Sequence, residues 1–507
     1  MTMSTTATTG VEHSAPAISA VSGTGEAGFK GDGEPAVSAV LSSPRGLAMD
    51  SSGALYIADC ENHRVRKVTT DGTISTVAGS GVAGFSGDGG PAFAAQLSSP
   101  SAVAGDGAGG FYIADHGNHR IRRVTAEGRI STVAGTGTAG FDGDKGPAAA
   151  AQLRSPVGLA VDSTGALYIA DHGNHRIRKI TADGTISTVA GSGSAGFAGD
   201  GGPAAAAQLN LPYAVAVDST GALYIADSGN HRIRKITADG TISTVAGTGT
   251  AGLGGDDGPA SSAQLNTPSA VAVDSAGALY IADSGNHRIR RITADGTIST
   301  VAGSGTAGLG GDGGPAASAE LNSPLGLAVD CVDTLYIADH GNHRIRKIAS
   351  PTMDGLPESG TVVSWANVRS RLRMGVLRES TRDGAEIHQS LATARDHQRW
   401  RLVAAGRDNG DVLYRIENVR SGKVLEVGAQ EAAGAAVVQR AYEGGDARHQ
   451  QWKLIPVGSG TETPQVFEIA NRHSGLRLRV DTNARAAITQ HEAEGDHRER
   501  QWQRLTV

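Results

Sequence analysis

An all-β chain made of two consecutive repeat arrays is what this sequence predicts, and three observations predict it. A unit of 56 residues occurs six times, marked by Asn-His-Arg at 62–64, 118–120, 174–176, 230–232, 286–288 and 342–344. Within each unit, short β-branched or aromatic runs alternate with turn signals such as Asp-Ser-Thr-Gly and Ala-Asp-Gly. Beyond residue 350 that period stops, and a unit of about 50 residues ending in Trp takes its place. Periods of this size mean repeat architectures, in which each unit is one supersecondary element stacked on its neighbours.

The third unit shows the elements in order. It reads PVGLAVD (156–162), GALYIADHGNHRIRKIT (165–181), DGTISTVAG (183–191) and SGSAGFAGDGGPAAAAQLN (192–210). Four strands follow from it: GLAV, LYIA, RIRKI and TISTVA. Four-stranded meanders repeated radially describe the blades of a β-propeller. The fourth segment carries Asp before Gly-Gly-Pro-Ala, a helix-start signal, so one short helix per connecting loop is expected. The alternative for that loop is a calcium site on Asp88 and its equivalents. Each loop offers one or two carboxylates, whereas calcium takes six to eight oxygens.

The ends of the array predict its closure. Ile18-Ser19-Ala20-Val21 matches Ile74-Ser75-Thr76-Val77, a fourth strand, and the last unit stops at Ile345-Arg346-Lys347-Ile348 with no fourth strand after it. The N-terminal strand should therefore complete the sixth blade and leave no open sheet edge at the seam. The unit GLAVD followed by LYIADHGNHRIRKI resembles the NHL repeat, with Arg at the third marker position. That resemblance implies a six-bladed propeller over 17–348. Most such propellers are binding scaffolds, and a few are lyases.

The tail has its own logic. A Pro/Gly/Ser stretch over 349–360 reads as a linker. Asn367-Val368-Arg369-Ser370, Asn418-Val419-Arg420-Ser421 and Asn471-Arg472-His473-Ser474 open three units. Gln398-Arg399-Trp400, Gln450-Gln451-Trp452 and Arg500-Gln501-Trp502 close them. Three such units predict a β-trefoil over 361–507, with the closing Trp residues in its core. The Gln-x-Trp endings resemble the ricin-B-type lectin domain, most fully in the second lobe. The resemblance implies a glycan partner and a sugar pocket in that lobe at Glu426, Gln439 and Tyr442, with Glu where the family usually has Asp. A carboxylate accepts paired hydrogen bonds from vicinal hydroxyls, and an aromatic face covers the apolar face of a sugar. Lobe one has Gly375 and Ala392 at the acidic and aromatic positions, and lobe three has Arg479 and Ala493, so one competent pocket at most is expected. Gln389 and Gln490 are retained.

Composition narrows the classes. Residues 1–350 carry a formal charge of −8 and residues 351–507 carry +2, a balance that does not suggest nucleic acid. No apolar run is long enough for a membrane-spanning helix. Residues 1–16 are polar and expected to be disordered, without the pattern of a secretory leader. Cys60 and Cys331 fall in turns on opposite blade faces, so no disulfide between them is expected. These two features favour a reducing compartment, whereas a lectin-type domain favours secretion or leaderless export.

The functional reading concentrates on the propeller face that carries the second-to-third and fourth-to-first connections. Residues identical in six blades, such as Asp171, Asn174, His175 and Arg176, read as scaffold. Positions that differ read as ligand contacts. The residue after the Pro that opens each first strand is Arg45, Ser101, Val157, Tyr213, Ser269 or Leu325. Two residues before that Pro stand Ser42, Ser98, Arg154, Asn210, Asn266 and Asn322. Of these, Arg45, Ser101, Arg154, Tyr213, Ser269, Asn210, Asn266 and Asn322 are the expected mouth contacts for a protein or small ligand. Cys60, His116, His172 and His340 form an arc of transition-metal ligand types, though adjacent blades should hold them too far apart to share one ion. No cofactor is expected. The leading function is a non-enzymatic binding protein, with a propeller scaffold and a carbohydrate-binding trefoil. A lyase or lactone hydrolase targeted to a carbohydrate surface is the second reading, weakened by the lack of a unique acid/base pair at the mouth. A scaffold with a degenerate trefoil is the third.

Overall fold

The computed structural model describes residues 16–349 except 51. In 350–507 it describes all but 350–355, 357–358, 368–371, 391, 393–394, 409–410, 428–434, 445–446, 458–465, 481–486, 492–499 and 507. The expected disorder of 1–16 and most of the 349–360 linker thus lie outside the described residues.

Six four-stranded antiparallel sheets form the blades. Blade three is typical: Pro156–Val161, Leu167–Asp171, Arg176–Ile180 and Ile186–Ala190, from the channel outward. The second strand is buried along its whole length, because both of its faces pack on neighbouring blades. The seam closes as the sequence predicts. Ile18–Ser22 pairs antiparallel with Arg344–Ile348, setting Ile18 opposite Ile348, and completes blade six. The inner strands approach one another closely. A Cβ on Gly326 would stand 1.9 Å from the Arg45 carbonyl oxygen, and one on Gly158 would stand 2.6 Å from that of Tyr213. Only glycine permits such approach.

The long fourth-to-first loop differs from its expected place. Its middle lies on the rim rather than at the mouth, joining the end of one blade's fourth strand to the start of the next. Gly79 N–H donates to Ala92 O, Ala92 N–H to Gly128 O, and Gly89 N–H to Ile130 O. In blade five this pairing is regular enough to make a short extra strand, Gly258–Pro259, against Thr297 and Ile298. The loop covers the outer edge that each sheet would otherwise expose. The predicted helix is a single 3-10 turn, Ala92–Ala94 in the first loop, with Ala92 buried. Four residues of Ala-rich sequence are too few for a stable α-helix. Asp88 is taken up by Arg122, at 2.6 Å to Nη2, and by the Thr132 hydroxyl at 2.7 Å.

Among the described residues, the tail folds as twelve strands in one closed sheet. Val362–Asn367 pairs with Gln501–Thr506, joining first strand to last. Trp365, Trp400, Trp452 and Trp502 are fully buried at its centre. Three indole N–H groups donate to equivalent carbonyls: Trp400 to Met374 O, Trp452 to Leu425 O and Trp502 to Leu478 O. That threefold pattern is why each unit must end in Trp.

The trefoil docks on the face of blades one and six opposite the mouth. Blade six differs here in sequence. Its first turn reads Asp330-Cys331-Val332-Asp333-Thr334, where blade three has Asp162-Ser163-Thr164-Gly165-Ala166. Val332 is fully buried within the trefoil core. Asp333 takes the left-handed conformation (φ 65°) that Gly165 holds in blade three. Its carboxylate pairs with Arg407 at 3.0 Å and accepts from Ser275. Arg415 donates to Ser52 O at 2.9 Å from the trefoil side.

Candidate functional site

The repeated marker builds a network that runs from the turns around the mouth to the rim loop. In blade three, Asp171 is fully buried and accepts from Arg154 N–H at 2.8 Å and from the Asn174 amide at 2.8 Å. Arg178 lies 3.4 Å from Asp171 and reaches Asp144 of the rim loop at 2.7 Å. Arg176 stacks on Phe141, 3.6 Å from the ring centre. His175 sits in the left-handed region, φ 54°, and its Nδ1 accepts the N–H of Leu211 in the next blade at 3.1 Å. Leu211 is itself left-handed, as are Ser43, Ser99, Ser155, Thr267 and Ser323 at the same step. The marker His thus clamps the strained residue before each Pro, and so fixes where the residue after that Pro begins the channel wall.

In the arc of Cys60, His116, His172 and His340, the three histidines have a clasping role. His116 Nδ1 lies 3.4 Å from Pro156 O, His172 Nδ1 3.2 Å from Pro212 O, and His340 Nδ1 3.2 Å from Pro44 O. Each contact crosses to the next blade. A carbonyl only accepts, so Nδ1 carries the hydrogen and Nε2 is left to take a proton. Ser228 and Ser284 make the same contact to Pro268 and Pro324. Burial, and then the charge of Arg45, hold His116 and His340 below the ordinary imidazole value. Burial also lowers His172. Burial pushes the Cys60 thiol up to about 11, which keeps it protonated near neutrality. The four do not converge: among the described residues, the cluster of three metal-ligand types lies in the trefoil.

The other expected mouth contacts divide sharply. Ser101 is buried, its hydroxyl donating to Pro156 O and Val157 O at 3.1 and 3.2 Å. Ser269 is buried and donates to Pro324 O at 3.0 Å. The Asn210 and Asn322 amides donate to Gly229 O and Gly341 O of their own blades. The Asn266 side chain lies against Gly285 of its own blade, its Cγ 2.5 Å from where a Cβ would stand. These side chains and groups belong to the turns rather than standing open. Arg154 is exposed, and its charge bears on His119 and His175. Tyr213 lines the channel and meets the His172 ring edge-on at 5.8 Å. Arg45 is half-buried, its Nε is enclosed, and among the described residues no group hydrogen-bonds that nitrogen or forms an ion pair with the guanidinium.

In the second trefoil lobe, Glu426 is buried. One carboxylate oxygen accepts from Arg440 Nε at 2.7 Å and the other from the Gln450 amide at 2.8 Å. His449 lies 3.8 Å from Glu426 and 3.4 Å from Glu443, which makes this the metal-ligand cluster. Gln439 is fully buried; its amide donates to Ser380 O and Arg382 O and accepts from the Ser421 hydroxyl. Gln490 of lobe three is also fully buried and accepts from Ser474 in the same way. That repetition gives Gln439 a role in lobe packing. Tyr442 has one face covered by Arg415, 4.3 Å from the ring centre, and Arg415 also reaches the propeller at Ser52 O. Arg440 and His449 are lobe-two groups that sequence reasoning missed. Both lie well after Glu426 in the chain, so only the fold of the lobe shows that they reach it.

Comparison with known proteins supports both halves. Residues 41–68, 153–180, 265–292 and 321–348 match the NHL repeat, and 193–254 match the teneurin NHL domain. Residues 353–440 and 397–491 match the ricin-type β-trefoil lectin domain-like family. Teneurin-3 of Mus musculus is 31% identical over 347 residues, covering 61% of this chain and 12% of its own length. Protein SUPPRESSOR OF QUENCHING 1, chloroplastic, of Arabidopsis thaliana is 32% identical over 286 residues, covering 54% of this chain and 27% of its own. The chain therefore spans a small part of the curated relatives it matches. A solved structural-genomics protein of unknown function from Bacteroides thetaiotaomicron shares the fold at 20% identity and a TM-score of 0.50, over 66% of this chain and 76% of that one. The chain carries NHL repeats in a six-bladed β-propeller, followed by a ricin-type β-trefoil lectin-like domain.

Proposed function

We propose that this protein is a binding protein of two modules, in which the propeller mouth receives a ligand and the trefoil engages carbohydrate. One observation carries the reading of the mouth. The polar side chains common to the six blades hold one another, as Asp171, Asn174 and Arg178 do, while the unlike residues Arg45 and Tyr213 stand at the channel mouth with the Arg45 guanidinium outside any ion pair among the described residues. A charged group kept half-buried without a partner costs stability, so its retention favours a role in binding.

The carbohydrate reading rests on the ricin-type match and on the lobe-two cluster of Glu426, Arg440 and His449. Its test is a glycan array with the full chain beside Glu426→Ala and Tyr442→Ala, with intrinsic Trp fluorescence confirming that the variant trefoils are folded. Binding that disappears in both variants is the expected result. Binding unchanged in both would move the sugar away from lobe two, and an array without binding would remove the carbohydrate reading.

A further inference from the structure

We propose that the mouth of the central channel binds the oxyanion end of a small ligand, a carboxylate or a phosphate, through Arg45 with His116, His172 and His340 around it. This deepens the reading of the mouth given above and rests on it.

The argument starts from the arginines. The core arginine of each third strand has its carboxylates: Arg66 with Asp32, Arg122 with Asp88, Arg178 with Asp144, Arg234 with Asp200, Arg290 with Asp256 and Arg346 with Asp312, all at 2.6–2.8 Å. Arg45 has none among the described residues. It occupies the position filled in the other five blades by Ser, Val, Tyr, Ser and Leu, so nothing in the repeat provides it with a partner. A guanidinium presents donors in a rigid fork matched to a planar carboxylate or a phosphate. Its enclosed Nε is a donor left unsatisfied, and pairing it with an anion removes that penalty.

The surroundings fit an oxyanion with an organic body. Arg45 acts electrostatically on Cys60 of its own blade, His116, His172 and His340 of blades two, three and six, and Tyr213 of blade four, directly across the ring. Arg45 and Tyr213 stand at the same step of the first strands of blades one and four, which oppose each other in the ring. Glu61, the acid that acts on it, is exposed and forms no ion pair with it among the described residues. Tyr213 and the His172 ring offer an apolar wall. Beside Tyr213 the channel is lined by Ser101, Val157, Ser269 and Leu325 with the inner strands in close contact, which limits the occupant to a small molecule or the tip of a larger one. A cation is disfavoured by the same arginine.

The histidines make the site responsive to pH. Each donates through Nδ1 to the next blade, so proton uptake falls on Nε2 and converts a lone pair into a donor without breaking the clasp. Their values lie below the ordinary imidazole value in the free protein, and a bound anion raises them. Affinity for an anion should then be flat above about pH 7 and rise as pH falls through the imidazole range.

The test is isothermal titration of the full chain with inorganic phosphate and, separately, with benzoate. Benzoate also serves for the pH series from about pH 8 to about pH 6, because it stays ionised throughout. Saturable binding of either anion is expected, tighter at the lower pH for benzoate. It should weaken by about tenfold or more in Arg45→Gln, be intermediate in Arg45→Lys, and be unchanged in Lys145→Gln on the exposed rim. Binding of phosphate alone identifies a phosphate-headed ligand, and of benzoate alone a carboxylate-headed one. Equal affinity in Arg45→Gln and wild type, or no saturable heat with either anion, overturns the proposal. Circular dichroism of each variant confirms that the propeller is folded. The glycan array is independent of this outcome, so the anion site can fail while the two-module reading stands.

Discussion

The rim and the mouth of the propeller use the same residue types in opposite states. On the rim, Arg178 is fully buried between Asp144 and Asp171, and the arrangement recurs in all six blades. At the mouth, Arg45 occurs once and is unpaired among the described residues. The difference teaches how to read a repeat protein. A polar group present six times is held by its own kind and stabilises the ring, whereas a group present once is free to meet something else. The marker His follows the same division. Repeated at six junctions, it clamps the residue before each Pro and so fixes the place from which Arg45 and Tyr213 extend.

The largest effect should come from breaking a rim network. Asp171→Ala leaves Arg178, Asn174 and the Arg154 N–H without their common acceptor, and removing one member of a buried charge pair costs about 3–5 kcal/mol. Denaturant unfolding followed by far-ultraviolet circular dichroism measures it, since the blades supply most of the strands. A loss below about 1 kcal/mol would mean that the rim charges are not the scaffold described here. A smaller effect is expected at the docking turn. Val332→Ala removes two buried methyl groups and should weaken the trefoil's seat by about 2 kcal/mol. All four Trp residues lie in the trefoil, so Trp fluorescence reports that domain alone. Its transition should fall while the blade signal moves little, and Thr164→Ala, the matching change in blade three, should move neither.

Much of this architecture was legible in the chain. The repeat, the four strands per blade, the seam strand at Ile18 and the core placement of Trp400, Trp452 and Trp502 follow from period and pattern. What was not legible depended on where loops travel. The GDGGPA segment carries a helix-start signal, but the neighbouring fourth strand offers its backbone more hydrogen bonds than a one-turn helix could, and draws it onto the rim. The sixth turn, Cys331-Val332-Asp333, departs visibly from its five counterparts. Its meaning lies in Ala404 and Arg407, distant in sequence, which contact it only after both domains have folded. In the second lobe, Glu426, Gln439 and Tyr442 were chosen by alignment of pattern. The structure places Arg440 on the first, internal carbonyls on the second and Arg415 on the third. At the mouth, variation singled out eight positions. Ser101 and Ser269 proved to be interblade hydrogen-bond donors, because a small hydroxyl beside a carbonyl is a structural solution as readily as a ligand contact.

The most direct test of the division between scaffold and site is a side-by-side measurement of Arg45→Gln and Arg234→Gln by thermal unfolding of the full chain. Arg234 lies 2.6 Å from Asp200 and 3.3 Å from Asp227. Its replacement should lower stability by about 3–5 kcal/mol. Replacement of Arg45 should not lower stability, because it removes a half-buried charge that has no partner. Equal losses in the two variants would contradict the account, because Arg45 would then belong to the scaffold and not to a binding site.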